Sequence, residues 1–243
     1  MATPNVDALL FDVFGTVVDW RSGVIRAGRC VSESKDINID WAAFADAWRE
    51  EYEPSLDLVR RGERSWRNLD TLHRTSLEEL LDRFEIEGLD EAEKNHLVMA
   101  WHRLDPWPDV IPGLQRLKPH FVISPLSNGH VRLLTNMAKR ASIPWDLILS
   151  AELAGQYKPD PEVYLTAVDL LDLEVDDVMM VAAHEGDLDA SQDVGLHTAY
   201  VHRPCEWGPD DVNSAEKPDQ SAYDGVVGDF IELATWLDVP PDV

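Results

Sequence analysis

Residues 9–18 read Leu-Leu-Phe-Asp-Val-Phe-Gly-Thr-Val-Val, an apolar run that ends abruptly in the carboxylate of Asp12. The pattern predicts a buried strand over about residues 8–12 that delivers this side chain to a turn containing Gly and Thr. Burying an ionised carboxylate costs several kcal/mol unless another group pairs with it, so a purely structural reason for Asp12 is hard to supply. The alternative is an Asp at a strand end that accepts hydrogen bonds from its own turn.

Strand and helix signals alternate in the second half of the chain, after a proline-rich boundary at residues 105–113. This alternation predicts a parallel sheet with right-handed crossover connections. The predicted strands after the boundary are residues 121–123, 147–149, 178–183 and 198–201, and the predicted helices are residues 130–140 and 162–171. The predicted fold class is therefore α/β, with a Rossmann-like parallel sheet and flanking helices.

The segment between the first predicted strand and the proline-rich boundary has helical periodicity, many charges and no strong strand signal. Residues 41–48, Trp-Ala-Ala-Phe-Ala-Asp-Ala-Trp, place apolar side chains at helical spacing. We interpret residues 20–101 as an α-helical cap inserted after the first strand. Residues 1–19 and 102–243 then form the Rossmann-like catalytic core.

The chain of 243 residues is strongly acidic, with 46 Asp and Glu against 21 Lys and Arg and a formal net charge of −25. This charge repels phosphate backbones and anionic lipid surfaces, so nucleic-acid and membrane partners are disfavoured. An anionic substrate would need local positive charge to overcome the global field. Two cysteines without metal-ligand spacing, no signal-like leader and no segment of membrane-spanning length favour a cytoplasmic protein. A homodimer is left open.

Three polar clusters follow predicted strands, and a fourth lies in a loop before a predicted helix. The clusters begin at Asp12, Ser127, Lys158 and His184. Because ligands in open parallel sheets bind beyond the carboxyl ends of the strands, we expect these side chains to meet at one edge. Together they suit the activation of a nucleophilic aspartate. Taken alone, residues 127–129 are an ordinary turn and Lys158 is a solvated loop cation.

The order and spacing of these motifs resemble the haloacid dehalogenase superfamily over nearly the whole chain. The matching motifs are Asp-Val-Phe-Gly-Thr at 12–16, Ser-Asn-Gly at 127–129, Lys-Pro-Asp-Pro at 158–161 and the acidic loop that ends in Asp187. The helical insert resembles the cap domain of that superfamily. The resemblance thus implies the same fold class as the alternation of strands and helices.

Two positions depart from the magnesium-dependent phosphatases that make up most of that superfamily. Those enzymes carry a second Asp two residues after the nucleophile, where this chain has Phe14. Those phosphatases usually carry a further Asp in the acidic loop, where this chain has Ala183. Too few hard oxygen ligands then remain for a good magnesium site. The pattern suits a dehalogenase, for which the resemblance implies no metal and no cofactor.

Within the superfamily the chain most resembles the L-2-haloacid dehalogenases. Phe14 stands where that family usually has Tyr, Arg49 resembles its cap arginine, and Tyr164 follows the motif lysine at the family spacing. The chain departs from the family in the acidic loop, where His184 replaces an amide and Gly186 replaces a bulky aromatic residue. These departures affect the expected substrate range more than the expected reaction.

The resemblance implies hydrolysis of short 2-haloalkanoic acids, which are small anionic organohalides, through an ester on Asp12. Asp12 would displace halide, and water would then hydrolyse the ester to release a 2-hydroxy acid. The other catalytic candidates are Lys158, which would orient Asp12, Thr16 and Ser127, which would donate hydrogen bonds, and Asp187, which would orient Lys158 or activate water. The candidates for binding substrate or halide are Arg49, Phe14, Asn128, Tyr164 and His184.

The acidic loop and the cap arginine leave alternatives open. An imidazole donor at His184 beside Arg49 would assist the departure of fluoride, which predicts turnover of fluoroacetate. Arg49 also lies among Glu50, Glu51 and Glu53, so a surface ion pair competes with a catalytic role. The competing functions are a metal-dependent phosphatase of the same superfamily and a catalytically silent scaffold that binds small anions or a partner protein.

Overall fold

The apolar run before Asp12 forms a central strand of the sheet. The computed structural model describes residues 3–35, 38–209 and 216–241. In it β1 (Ala8–Phe11) has all four side chains buried and lies between two parallel neighbours, which pair Leu9 with Ile123 on one side and with Met179 on the other. A parallel strand covered on both faces has no solvent-facing side, which explains an unbroken apolar run instead of an alternating one.

Five helices follow β1 and a short strand, β2 (Val18–Asp19). They are α1 (Trp20–Lys35), α2 (Trp41–Glu50), α3 (Tyr52–Arg60), α4 (Leu69–Arg83) and α5 (Glu91–Val98), followed by a 3₁₀ helix at Met99–Arg103. Side chains of Asp40, Asn68 and Asp90 accept hydrogen bonds from free backbone N–H groups at the starts of α2, α4 and α5. These caps explain where three of the helices begin.

The helical insert is closed at its base by β3 (Asp105–Pro106), which pairs antiparallel with β2. Because β2 and β3 pair with each other, the chain enters the helical insert and leaves it at neighbouring positions. Its division into a cap at residues 20–101 and a core at residues 1–19 and 102–243 stays a prediction.

Aromatic side chains fill the interior of the insert and reach the turn after β1. Trp101 packs edge-on against Trp48, with ring centroids 5.6 Å apart, and against Phe14, at 5.7 Å. Phe14 also packs against Tyr52 at 6.4 Å. Aromatic rings bury large apolar areas, so this cluster links the packing of the insert to the segment that carries Asp12.

Six parallel strands form the sheet, in the order β5-β4-β1-β6-β7-β8. The strands after the insert are β4 (Val122–Ser127), β5 (Leu149–Ser150), β6 (Val178–Ala182), β7 (His197–Val201) and β8 (Gly225–Val227). The helices between and after them are α6 (Val110–Leu117), α7 (Val131–Ala141), α8 (Ala151–Ala154), α9 (Pro161–Leu171), α10 (Glu185–Asp193) and α11 (Phe230–Trp236), with a 3₁₀ helix at Val175–Asp177.

The predicted fold class is confirmed, although several strands differ from the prediction: β2 and β3 were not predicted, and β5 lies at Leu149–Ser150 instead of residues 147–149. β4 continues to Ser127 through Pro125, whereas the prediction ended at residue 123. Proline has no N–H to donate to a neighbouring strand and is normally excluded from strand interiors. The prediction therefore stopped before Pro125, which was too early. β8 is short and was not predicted. No helix within the described ranges is long and apolar enough to cross a membrane.

Candidate functional site

Asp12 follows β1 directly, at the carboxyl edge of the sheet. Its backbone N–H donates to the Val181 carbonyl at 3.0 Å, and its side chain is only 13% exposed. The Thr16 hydroxyl donates to Asp12 Oδ2 at 2.8 Å. The Ala183 N–H donates to the same hydroxyl oxygen at 2.9 Å, which leaves the hydroxyl proton for Asp12. The turn thus supplies Asp12 with a fixed hydrogen-bond donor.

The turn after Asp12 requires glycine at position 15. Gly15 has a φ of +90°, a conformation that L side chains rarely adopt. A Cβ at this position would lie 2.2 Å from Oε1 of Glu206. Gly15 therefore permits both the turn and the close approach of Glu206, a residue from the segment after β7.

A buried arginine fixes the same turn from behind. Arg203 donates from Nε to the Thr16 carbonyl at 2.9 Å and forms a two-point ion pair with Asp109 at 2.7 and 2.8 Å. Asp109 also accepts from the Phe230 N–H at 2.9 Å. Burial raises the pKa of Asp109, but Arg203 outweighs it and holds that pKa below its usual range. The ion pair connects the nucleophile turn with the starts of α6 and α11.

Lys158 and Asp187 form a buried ion pair beside Asp12. Lys158 Nζ lies 2.7 Å from Asp187 Oδ2 and 3.8 Å from Asp12 Oδ1. The Asn128 side-chain carbonyl accepts from the Lys158 backbone N–H at 2.8 Å, and the Tyr164 hydroxyl donates to Asp187 Oδ1 at 2.6 Å. Burial and the nearby Asp187 carboxylate raise the pKa of Tyr164, so its hydroxyl remains a donor. Asp187 is thus held on both oxygens and holds Lys158 toward Asp12.

His184 lies between two carboxylates. Its Nδ1 is 3.0 Å from Asp12 Oδ2, and its Nε2 is 3.1 Å from both oxygens of Glu206. Trp20 Nε1 donates to Glu206 Oε1 at 3.0 Å. A doubly protonated imidazolium can donate to both carboxylates at once, which the neutral ring cannot. The geometry therefore forms a chain of Trp20, Glu206, His184 and Asp12.

The charges within this hydrogen-bonded series of side chains shift three of their pKa values. Burial lowers the pKa of His184, but Glu206 and Asp12 outweigh it and raise that pKa to about 10. Burial raises the pKa of Asp12, whereas Lys158, His184 and Thr16 hold it well below its usual range. The pKa of Glu206 is lowered because His184 outweighs its burial. At neutral pH the site therefore carries a nucleophile carboxylate and an imidazolium in direct contact.

Arg49 on α2 reaches the same cavity from the insert. Its guanidinium carbon lies 4.3 Å from the centroid of the Tyr52 ring, and its buried Nε has no hydrogen-bond partner. Within the described residues Arg49 forms no ion pair, so the alternative of a surface ion pair with a neighbouring Glu receives no support. Glu53 also lines the cavity, and its pKa is raised because the effect of burial outweighs the opposing effect of Arg49. Arg49 is thus a cation stacked on an aromatic ring without a carboxylate partner.

A cavity of about 290 Å³ connects Asp12 with Arg49. The residues that line it are Asp12, Phe14, Arg49, Tyr52, Glu53, Asn128, Lys158, Pro159, His184, Gly186 and Asp187. A Cβ added at Gly186 would meet no atom within 4 Å, so the side that would carry a bulky aromatic residue is open. The cavity lining therefore combines three carboxylates, including the nucleophile Asp12, with three cationic side chains.

The structure brings most of the predicted site residues together. Thr16 and Tyr164 contact Asp12 and Asp187 from behind the cavity lining. Ser127 is the exception, because its hydroxyl oxygen accepts from the Gly129 N–H at 3.1 Å and no hydrogen bond joins it to Asp12. Glu206 was missed by the sequence analysis. It belongs to a loosely patterned segment with no recognisable motif, and the contact with Gly15 becomes visible only in three dimensions.

The site does not fit the Mg²⁺ that most members of the resembling superfamily use. Both oxygens of Asp187 are engaged by Lys158 and Tyr164, and Asp12 Oδ2 accepts from Thr16 and faces His184. Positions 14 and 183 supply Phe and Ala. Mg²⁺ demands near-octahedral oxygen coordination, and cations already surround the two aspartates. The donor set therefore gives no support to the alternative of a metal-dependent phosphatase.

Comparisons with known proteins agree with this geometry. The family model for haloacid dehalogenase-like hydrolases matches residues 6–195. The structure of a defluorinating L-2-haloacid dehalogenase is 43% identical, has a TM-score of 0.93 and covers 98% of this chain and 99% of its own. Another L-2-haloacid dehalogenase is 42% identical, with a TM-score of 0.89 and coverage of 96% and 100%. The (S)-2-haloacid dehalogenase 4A of Burkholderia cepacia is 29% identical over 205 residues, 82% of this chain and 84% of that protein. The chain therefore belongs to the haloacid dehalogenase-like hydrolases and, among them, is similar to the L-2-haloacid dehalogenases.

Proposed function

We propose that the protein hydrolyses the carbon–halogen bond of short 2-haloalkanoic acids through an ester on Asp12. The observation that carries the proposal is the cavity itself, in which an ionised Asp12 faces Arg49, a cation that forms no ion pair with the residues the structure describes. A substrate with a carboxylate on one side of carbon 2 and a halogen on the other matches this arrangement. The small volume of the cavity favours short acids.

In the first step, Asp12 Oδ1 attacks carbon 2 of the substrate and the halide leaves with the bonding electrons. Oδ1 is the available oxygen because Oδ2 already accepts from Thr16 and faces His184. Lys158 Nζ, at 3.8 Å, keeps Asp12 ionised and oriented without blocking Oδ1 by a short hydrogen bond. Arg49 is placed to bind the substrate carboxylate or the departing halide.

In the second step, water adds to the Asp12 carbonyl carbon and the bond from that carbon to Oδ1 breaks. Oδ1 leaves in the 2-hydroxy acid with one proton of the water, and the other proton passes to solvent as the Asp12 carboxylate is regenerated. If Oδ1 forms the ester, Oδ2 is the carbonyl oxygen on which negative charge develops. The Thr16 hydroxyl and the His184 Nδ1–H both donate to this atom and therefore form an oxyanion hole assembled before the reaction. We infer that His184 acts as a proton donor and charge stabiliser, because its raised pKa of about 10 disfavours a role as general base.

Asp187 is best assigned as the residue that orients Lys158. Its two oxygens are held by Lys158 and by Tyr164, so neither is free to take a proton from water. Asn128 supports the same arrangement through the backbone of Lys158. Phe14 contributes an apolar wall beside Asp12.

Fluoroacetate is included in the proposed substrate range. Both ring nitrogens of His184 are engaged by carboxylates, so direct donation to fluoride would require one of these contacts to break. Support comes instead from the charge of the imidazolium beside Arg49 and from the 43% identity to a dehalogenase described as defluorinating. Turnover of chloroacetate with no fluoride release from fluoroacetate, in a sensitive fluoride assay, would remove fluoroacetate from the range.

The deciding experiment measures halide release from chloroacetate and from the two enantiomers of 2-chloropropionate in the presence of EDTA. The proposal expects chelator-resistant release with preference for the L enantiomer, and loss of release in Asp12→Asn, which keeps the size of the side chain. A single turnover in H₂¹⁸O should place the label in Asp12 first. Absence of halide release, together with magnesium-dependent release of phosphate from phosphoesters, would establish the phosphatase alternative instead. No activity on either panel would favour the silent scaffold.

The acidic charge supports the further expectations of a cytoplasmic enzyme that does not bind nucleic acid. A homodimer is the remaining proposal about partners, and light scattering at several protein concentrations tests it.

A further inference from the structure

A second cluster of titratable side chains lies outside the catalytic cavity, where α4 meets the start of α7. His102 Nε2 lies 2.7 Å from Asp70 Oδ1, and His130 Nε2 lies 3.5 Å from Asp70 Oδ2. One candidate ligand atom from each of the three side chains falls within 4.8 Å of the other two. We propose that Asp70, His102 and His130 bind a divalent transition-metal cation, with Zn²⁺ as the best match.

His130 is the observation that points beyond an ordinary hydrogen-bond cluster. It is buried, its Nδ1 has no hydrogen-bond partner among the described residues, its Nε2 has only the long 3.5 Å contact with Asp70, and its side chain does not cap α7 although it occupies the position before that helix. Leaving a buried polar group without a partner is costly. A cation bound to Nε2, on the side that faces Asp70, would satisfy this ring.

The donor set and the spacing suit a small transition-metal ion. Zn²⁺ binds imidazole nitrogen and carboxylate oxygen at about 2.0–2.2 Å, so tetrahedral ligands stand about 3.3 Å apart. The 3.5 Å separation of Asp70 and His130 already matches, while the 2.7 Å separation of Asp70 and His102 must open slightly. The Asp70 side chain is 24% exposed, which gives it freedom to move and gives water access to a fourth position. Two imidazoles and one carboxylate disfavour Mg²⁺ and Ca²⁺.

Asn136 would support the proposed site by hydrogen bonding to one of its ligands, His102. Its side-chain nitrogen lies 2.9 Å from His102 Nδ1, which places the His102 proton on Nε2. Binding would displace that proton, and the Asn136 amide would turn to accept a hydrogen bond from Nδ1, as the outer ligands of metal-bound histidines do. The bound cation would then tie α4 of the helical insert to the 3₁₀ helix at Met99–Arg103 and to α7.

Equilibrium dialysis of the EDTA-treated protein against Zn²⁺ tests the proposal without reference to activity. We expect one ion per chain, at least 100-fold weaker binding in Asp70→Asn and His130→Ala, and a rise in Tm with Zn²⁺ in the unmodified protein that these two variants do not show. His120→Ala, at an exposed histidine elsewhere, is the matched control and should bind as the unmodified protein does. Asp70→Asn keeps the size of the side chain, so circular dichroism should show an unchanged fold.

No bound Zn²⁺, or binding that is the same in all three variants, would overturn the proposal. Halide release provides a separate readout, because no ligand of the proposed site lines the catalytic cavity. EDTA should remove the ion while leaving the initial rate of halide release unchanged. Failure of the dehalogenase assay would therefore leave the metal-binding test intact.

Discussion

Replacing Glu206 by Gln should lower the pKa of His184 while keeping the shape of the site. The amide of Gln can still accept a hydrogen bond from Nε2, but it carries no negative charge. In the present structure Glu206 is the first carboxylate behind His184, with both oxygens 3.1 Å from Nε2. The charge of Glu206, more than its shape, contributes to the raised pKa of His184, together with the charge of Asp12.

The expected shift follows from the strength of charged hydrogen bonds. A hydrogen bond to a charged group contributes about 1.5–3 kcal/mol, against about 1 kcal/mol for a neutral one. The difference corresponds to about 1 pKa unit, since one unit equals about 1.4 kcal/mol. His184 is 33% exposed, and solvent screening keeps the shift from exceeding about 1 unit. The pKa of about 10 should therefore fall to about 9 in Glu206→Gln.

Histidine side-chain NMR across pH 6–11 measures this pKa directly, with the His184 signal assigned by its loss in His184→Asn. Glu185→Gln is the matched control, because Glu185 is exposed, adjacent in sequence and forms no hydrogen bond with the imidazole. The folded-state pKa is raised above its unfolded value of 6.5, so the stabilisation is complete below pH 6.5 and is lost as pH rises through about 10. An identical titration in Glu206→Gln and the unmodified protein would refute the reasoning.

Three further substitutions test separate parts of the site. Thr16→Val removes one oxyanion donor and should slow ester hydrolysis about 10²–10³-fold, so that mass spectrometry detects a substrate-derived mass on Asp12. Arg49→Lys keeps the charge but loses the planar fork, and kcat/KM for chloroacetate should fall about 10- to 100-fold, whereas an unchanged value would remove Arg49 from the site. Asp109→Asn breaks the buried pair with Arg203 and should cost about 3–5 kcal/mol in urea unfolding. The control for this third substitution is Arg26→Gln, which removes the exposed ion pair between Arg26 and Asp105 and should cost less than about 1 kcal/mol. Equal losses in the two variants would contradict the argument from burial.

The fold and much of the site could be predicted from local patterns. Unbroken apolar runs predicted the buried parallel strands, and the polar residues after those runs had to meet at the carboxyl edge. Asp12, Lys158, Asp187 and His184 were predicted in this way, because each lies next to a strand or helix end that local sequence makes recognisable. The contact between His184 and Asp12 then follows from the adjacency of β1 and β6.

Other features depend on contacts between segments that have no local signal. Glu206 lies 191 positions after Gly15, and the absence of a side chain at Gly15 leaves room for its carboxylate beside His184. Ser127 illustrates the opposite limit, since its position after β4 was correct but its hydroxyl faces the Gly129 N–H. A motif fixes the place of a residue along the chain more firmly than the direction of its side chain.

The net charge of the protein is −25, and its cavity sets Arg49, Lys158 and protonated His184 beside the carboxylates of Asp12, Glu53 and Asp187. A haloacid anion therefore crosses a repulsive field and meets attraction only within about one Debye length of these cations, ~8 Å at physiological ionic strength. Added salt should speed the encounter, the reverse of what electrostatically steered enzymes show. Halide and hydroxy acid both depart as anions, and once they are beyond these cations the acidic surface repels them, so the charge that slows substrate capture also slows the return of the products.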